Sequence, residues 1–398
     1  MTLLKNSGLT SAGLKTSGQI SRRGLLRGAA ALGGAALASP FYARNAFAAT
    51  GKVRILGVTT CALPSWEGFV ADTGMEIEFV PIDSNPGLYV QEVVANEVGD
   101  DFDLFVFDGG IEDRLGASGH FQALDPAAMK MWDAVSGDVK ASPLLQGLDG
   151  DQFGAPIVFN ADSFGYWVGD VAGADEELSW GLVFENEKML GKIGLEDTWL
   201  TTLPNAALYL KGKGASIGDP SNMTPDEAKM VVDFLIERKK AGQFRAFWHS
   251  YEESVDMLGN KEVMIEECWE PVVKQLQRDG KDVAYANCKE GYSKWMIGAY
   301  VPSQAEGERL ERAYAAIDWF LGGDYGAQIA VNQGYATANP EASLAYAADN
   351  GWDEEKTGAI KDNMAKVERK MALPDYWQNA SPDNVQAIES EWARFKQA

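Results

Sequence analysis

Short apolar runs alternate with stretches whose apolar positions recur every three to four residues. Lys52-Val53-Arg54-Ile55-Leu56-Gly57-Val58 reads as a strand. Ser65 to Thr73 puts Trp66, Phe69 and Val70 on one face and reads as a helix stopped by Gly74. Met75 to Ile82 alternates as a second strand. Pro86 to Glu97 reads as a helix, with Ser84-Asn85 as its cap and Pro86 in its first turn. Asp103-Leu104-Phe105-Val106-Phe107 is a near-continuous apolar run, the mark of a strand covered on both faces. Ile111 to Ala117 reads as a short helix.

The pattern resumes later in the chain. Thr224 to Ala241 is a helix opened by Thr224-Pro225-Asp226-Glu227. Val263-Met264-Ile265 reads as a strand, Pro271 to Arg278 as a helix, Asp282 to Ala286 as a strand and Glu308 to Leu321 as a helix. The acidic stretch Gly173 to Leu178 reads as a surface loop. Such alternation predicts an α/β fold with mostly parallel sheet flanked by helices. Ligands of open α/β sheets sit outside the carboxyl ends of strands. That rule selects Thr59-Thr60-Cys61, Asp108-Gly109-Gly110 and Trp269-Glu270.

The chain has 398 residues, 46% apolar, which is length enough for two packed lobes. A formal charge of −23 disfavours nucleic acid and anionic membrane surfaces as partners. The two histidines and three cysteines lack metal-ligand spacing. Neither a Gly-x-Ser-x-Gly elbow, a phosphate loop nor a dinucleotide fingerprint stands at a strand-to-helix turn, so an enzyme has no positive support. A ferric-iron site would want adjacent tyrosines, and the chain has no such pair. Cys268 and Cys288 end two expected strands, which leaves a disulfide and two free thiols both open.

Residues 1–48 contain no Asp or Glu but carry Lys5, Lys15, Arg22, Arg23, Arg27 and Arg44. Ser21-Arg22-Arg23-Gly24-Leu25-Leu26-Arg27 precedes a weakly apolar run from Gly28 to Ala38, and Ala46-Phe47-Ala48 follows. This is the layout of a secretory signal, and the paired arginines resemble a twin-arginine export signal. The run is too short to span about 30 Å of hydrocarbon. A soluble periplasmic protein is expected, its charge shifted from −23 to −29 by loss of those six positive residues.

Several later segments, in order, resemble the periplasmic spermidine/putrescine-binding proteins of ABC importers. They are Ser84-Asn85 with Tyr89, Asp103-Leu104-Phe105-Val106, Gly154-Ala155-Pro156-Ile157-Val158-Phe159, Glu262-Val263 with Trp269, Lys289-Glu290-Gly291 with Trp295-Met296, Gly334-Tyr335 with Thr337 and Asn339, and Trp377-Gln378-Asn379. The resemblance implies a type II periplasmic binding protein fold, with a ligand cleft between two lobes. Residues 49–158 plus 297–341 would form the first lobe, and 159–296 plus 342–398 the second. It implies ligand contacts from Trp269, Trp295, Tyr335 and Gln378, from the loops at Thr59, Thr60, Cys61, Asp108 and Gly109, and from Thr198 and Trp199. It implies a monomer, a small-molecule solute, an inner-membrane ABC permease as partner and no cofactor.

The chain departs from that family where the family carries acids. Ile297 stands two residues after Trp295, and Thr198 and Thr201 stand where an acid pair is expected. Ammonium ends need carboxylates, so Asp108, Glu270 and Asp197 are the candidate replacements. Each has a plainer reading: Asp108 as a helix cap, and Glu270 as an acid on a helix dipole. Trp269 and Trp295 could be core residues. A zwitterion or a quaternary ammonium, which needs fewer acids, stands beside a polyamine-like solute.

Overall fold

The computed structural model describes residues 51–140, 142–174, 176–372, 376–378 and 382–398, save the side chains of Asp138 and Tyr376. The export segment read from residues 1–48, and Asn379, lie outside the described residues. The strands are β1 (Lys52–Val58), β2 (Glu76–Ile82), β3 (Leu104–Asp108), β4 (Gly154–Trp167), β5 (Glu177–Leu178), β6 (Ile193–Glu196), β7 (Phe244–Trp248), β8 (Ile265–Cys268), β9 (Val283–Tyr285), β10 (Asn287–Cys288), β11 (Ser293–Tyr300), β12 (Ala336–Thr337) and β13 (Tyr376–Trp377).

Local signals placed several elements. Gly74 ends the Glu67–Thr73 helix at φ +69°, a left-handed conformation that glycine adopts without a Cβ clash. Asn85 accepts from the backbone N–H of Gly87 and Leu88 and caps Pro86–Val90. That helix runs on into a π turn over Gln91–Ala95. Thr224 and Glu227 form a reciprocal capping box on Pro225–Lys240.

The main sheet has the order β2-β1-β3-β11-β4-β8-β6-β7. Its flanks are parallel, β1 with β2 and β3, and β6 with β7 and β8. Its middle is antiparallel, because β11 runs against β3 and β4, and β4 runs against β8. All 14 residues of β4 are buried. From Gly154 to Asp162 this strand pairs with β11, and from Ser163 onward it pairs with β8 and β9. Asp162 therefore sits where β4 passes from one half of the sheet to the other.

Two expectations need correction, and one alternative left open is decided. The strand foreseen at Val263–Ile265 runs instead from Ile265 to Cys268, because pairing with β4 from Tyr166 to Ser163 carries it through Glu266 and Glu267. The loop foreseen at Gly173–Leu178 ends in β5, which pairs with β10 and buries Leu178. Cys268 and Cys288 are free thiols, because they pack in different apolar clusters. Cys288 Sγ lies 3.1 Å from Ser163 Oγ.

Candidate functional site

The register of β3, β11 and β4 sets the first wall. Ile297 lies opposite both Asp108 and Val158, Trp295 opposite Asn160, and Ser293 opposite Asp162. Directly opposed residues share a sheet face, and so do residues two apart. Asp108, Ile297, Trp295, Asn160 and Asp162 consequently line one face. On the other side of β4, Ala336 lies opposite Phe159, which brings Tyr335 to the same stretch. The Trp295 and Tyr335 rings meet edge to face, with centroids 4.9 Å apart. Trp295 is 7% exposed, and its Nε1 is buried without a hydrogen-bond partner. That nitrogen lies close to the Asp162 carboxylate.

Asp162 is 6% exposed. Burial pushes its carboxyl up to about 7. The Trp295 indole and the Lys370 ammonium pull it partly back, while the charges of Glu270 and Glu267 push it further up. Glu196, the last residue of β6, is held well above the usual carboxylate range by burial and then by the charge of Glu267. The Trp269 indole lies at this carboxylate, and Thr201 Oγ1 donates to it at 2.8 Å. Burial also raises Glu267, although Thr202 Oγ1 and Asn205 Nδ2 each donate to it at 2.5 Å. Among the described residues, no Lys or Arg comes within 4 Å of Asp162, Glu196 or Glu267.

Glu270 stands beside these acids in the opposite state. It opens the Glu270–Arg278 helix and is 2% exposed. Lys366 Nζ ion-pairs with its Oε1, Lys370 Nζ lies 3.5 Å from Oε2, and Asn160 Nδ2 donates to Oε2 at 3.1 Å. Burial alone would raise this carboxyl, but the two ammoniums and Asn160 hold it down to about 2. Both lysines come from the Glu354–Met371 helix, one turn apart. The same helix fixes Tyr335, whose carbonyl accepts from Asn363 Nδ2 at 2.7 Å.

The structure brings Trp295, Tyr335, Glu270 and, through Glu196, Trp269 into one neighbourhood. Trp269 also packs edge to face on the buried Trp248. Thr59 is exposed, Thr60 is partly buried, and Cys61 is buried with its carbonyl accepting from Tyr325 Oη. Burial pushes the Cys61 thiol up, and the nearby Asp108 adds to that shift. Asp108 does not cap the following helical turn, where Glu112 accepts from Gly110 N instead. Asp108 accepts from Ser84 Oγ at 2.6 Å and from Tyr89 Oη. Gly109 N donates to Met296 O at 2.7 Å. Gln378 N donates to Lys294 O at 2.6 Å, which docks that residue on β11.

Thr198 and Trp199 stand apart. Thr198 caps the Trp199–Gly212 helix through Leu200 N, and Trp199 packs against the apolar cluster around Leu203. Asp197 lies toward the surface with Lys396 and His249. The acids that sequence reasoning missed are Asp162, Glu196 and Glu267. An alternation of Asn160 and Asp162 along an otherwise apolar run was the available signal for the first.

Residues 67–359 match a family described as bacterial extracellular solute-binding protein. Among solved structures, the spermidine/putrescine ABC transporter substrate-binding protein PotD of Streptococcus pneumoniae is similar at TM-score 0.68 and 17% identity. That match covers 87% of this chain and 99% of that one. The PotD lipoprotein of Treponema pallidum is similar at TM-score 0.68 and 11% identity, covering 86% and 99%. An ABC transporter substrate-binding protein of Bradyrhizobium japonicum is similar at TM-score 0.62 and 18% identity, covering 87% and 99%. The fold is that of the type II periplasmic binding proteins.

Proposed function

This chain belongs to the bacterial extracellular solute-binding protein family, and we propose that it captures a small organic amine in the periplasm for an ABC importer. The observation that carries this reading is Asp162. It is a buried carboxylate with no ammonium or guanidinium within 4 Å among the described residues, set beside the Trp295 indole. Burying an acid in this state is unfavourable, and an incoming ammonium relieves it by charge pairing and hydrogen bonding. Trp295, Tyr335 and Trp269 supply aromatic faces, which attract cations and cover methylene carbons.

Capture on this reading is a population shift. β4 links the half of the sheet bearing Asp108 and Trp295 to the half bearing Glu196 and Glu267. A solute that touches both halves favours the state in which they close, by its differential affinity for that state. Residues 49–158 with 297–341 would move as one lobe, and 159–296 with 342–398 as the other. Export by the twin-arginine segment, a monomeric state, delivery to an inner-membrane permease and the lack of turnover belong to the same reading. The test is a melting-temperature screen of the purified protein over amines, betaines, amino acids and sugars. An amine should raise the transition by mass action without being converted. A response confined to sugars or other uncharged solutes would refute the reading.

A further inference from the structure

Lys370 is 2% exposed and stands in the wall of the same site. Its Nζ donates at 2.6 Å to the carbonyl of Ala161, the residue before Asp162. It lies 4.8 Å from the ring centroid of Tyr285 and 5.3 Å from that of Tyr292, and 3.5 Å from Glu270 Oε2. Tyr285 Oη is in turn 3.5 Å from Asp162 Oδ1. A main-chain carbonyl, two aromatic faces and a carboxylate are the set that would recognise the ammonium of a free amine. Here the chain fills it with its own.

We propose that Lys370 is a built-in ammonium that occupies one of the cation places of this site, so that the solute carries a single ammonium group. The proposal rests on the amine reading above and narrows it. The charges around Asp162 agree. Burial raises the carboxyls of both Glu196 and Glu267, and the charge of Glu267 raises Glu196 further. A second ammonium would meet the field of Lys370, which is buried, and of the partly buried Lys366. Asp108 lies two strands across and four residues along the same face, about 16 Å away at ordinary sheet spacings. It already accepts two hydroxyl hydrogens.

The experiment is titration calorimetry with three four-carbon probes: 1-aminobutane, 4-aminobutanoate and 1,4-diaminobutane. In the wild-type protein, the tighter of the two one-ammonium probes should exceed the diamine by at least about tenfold, the scale of one like-charge repulsion at partial screening. K370M should move that ratio toward the diamine by at least about tenfold, and K370R should leave it in place. A wild-type protein that binds the diamine equally or more tightly overturns the proposal but leaves the amine reading standing. So does a folded K370M with an unchanged ratio. Where K370M fails to fold, the wild-type ratio decides. Binding of none of the three refutes both the amine reading and the proposal.

Discussion

Two buried carboxylates flank Asn160, and they differ in one respect. Glu270 has two lysines and an amide aimed at it, and its carboxyl is held down to about 2. Asp162 has comparable burial but, among the described residues, no ammonium or guanidinium within 4 Å, and its carboxyl is pushed up to about 7. Burial is common to both, so the partner decides the direction. The paired end is architecture: it ties the Glu270–Arg278 helix, β4 and the Glu354–Met371 helix together. The unpaired end is where a cation from outside has something to gain.

The largest way to break the comparison is Glu270→Gln. It leaves Lys366 and Lys370 buried without their carboxylate, and denaturant unfolding should show a loss of about 3–5 kcal/mol. Asp162→Asn should do the reverse. The free protein should keep its stability or gain some, while amine affinity measured by calorimetry falls by about 2 kcal/mol or more. Equal destabilisation by both changes would erase the distinction.

The third test is pH. Asp162 binds its proton up to about 7 in the folded state but only up to about 4 when unfolded, so the native state holds more protons in that window. Stability of the free protein should therefore fall as pH rises from about 4 to about 7. Buried Glu266, raised to about 8, extends that decline. Glu270 has the opposite sign: its contribution is present above its ordinary value and is lost as pH falls from 4.5 toward 2. Melting temperature against pH should peak between these windows. Amine affinity should rise about tenfold per pH unit below 7 and then level off. The smallest effect is expected from Trp295→Phe, which keeps an aromatic face but removes the indole N–H beside Asp162. Affinity should drop by about 1 kcal/mol with the fold intact.

Much of the fold was legible because its signals are local. Gly74, the Asn85 cap and the Thr224–Glu227 box each act within one turn. Trp269 stood out at an expected strand end, while Trp295 and Tyr335 were marked only by the family resemblance. The acids were not. Glu266-Glu267 looks like a strand terminus in sequence, and only pairing with β4 puts both inside the sheet. Glu196 and Asp162 lie 34 positions apart, and their relation arises from the order β4-β8-β6. Lys366 and Lys370 acquire their role only where the Glu354–Met371 helix docks on Glu270. The proposed site therefore looked poor in acids, because the buried carboxylates come from positions other than Ile297 and Thr198.

The most direct test of the central claim is to count the protons released when an amine binds at pH 7, by calorimetry in buffers of different ionisation enthalpy. A carboxyl titrating near 7 is about half protonated there, and the incoming ammonium expels that proton. About half a proton should leave per amine bound to the wild-type protein, and close to none with Asp162→Asn. Tight amine binding to the wild-type protein with no proton release would contradict the account.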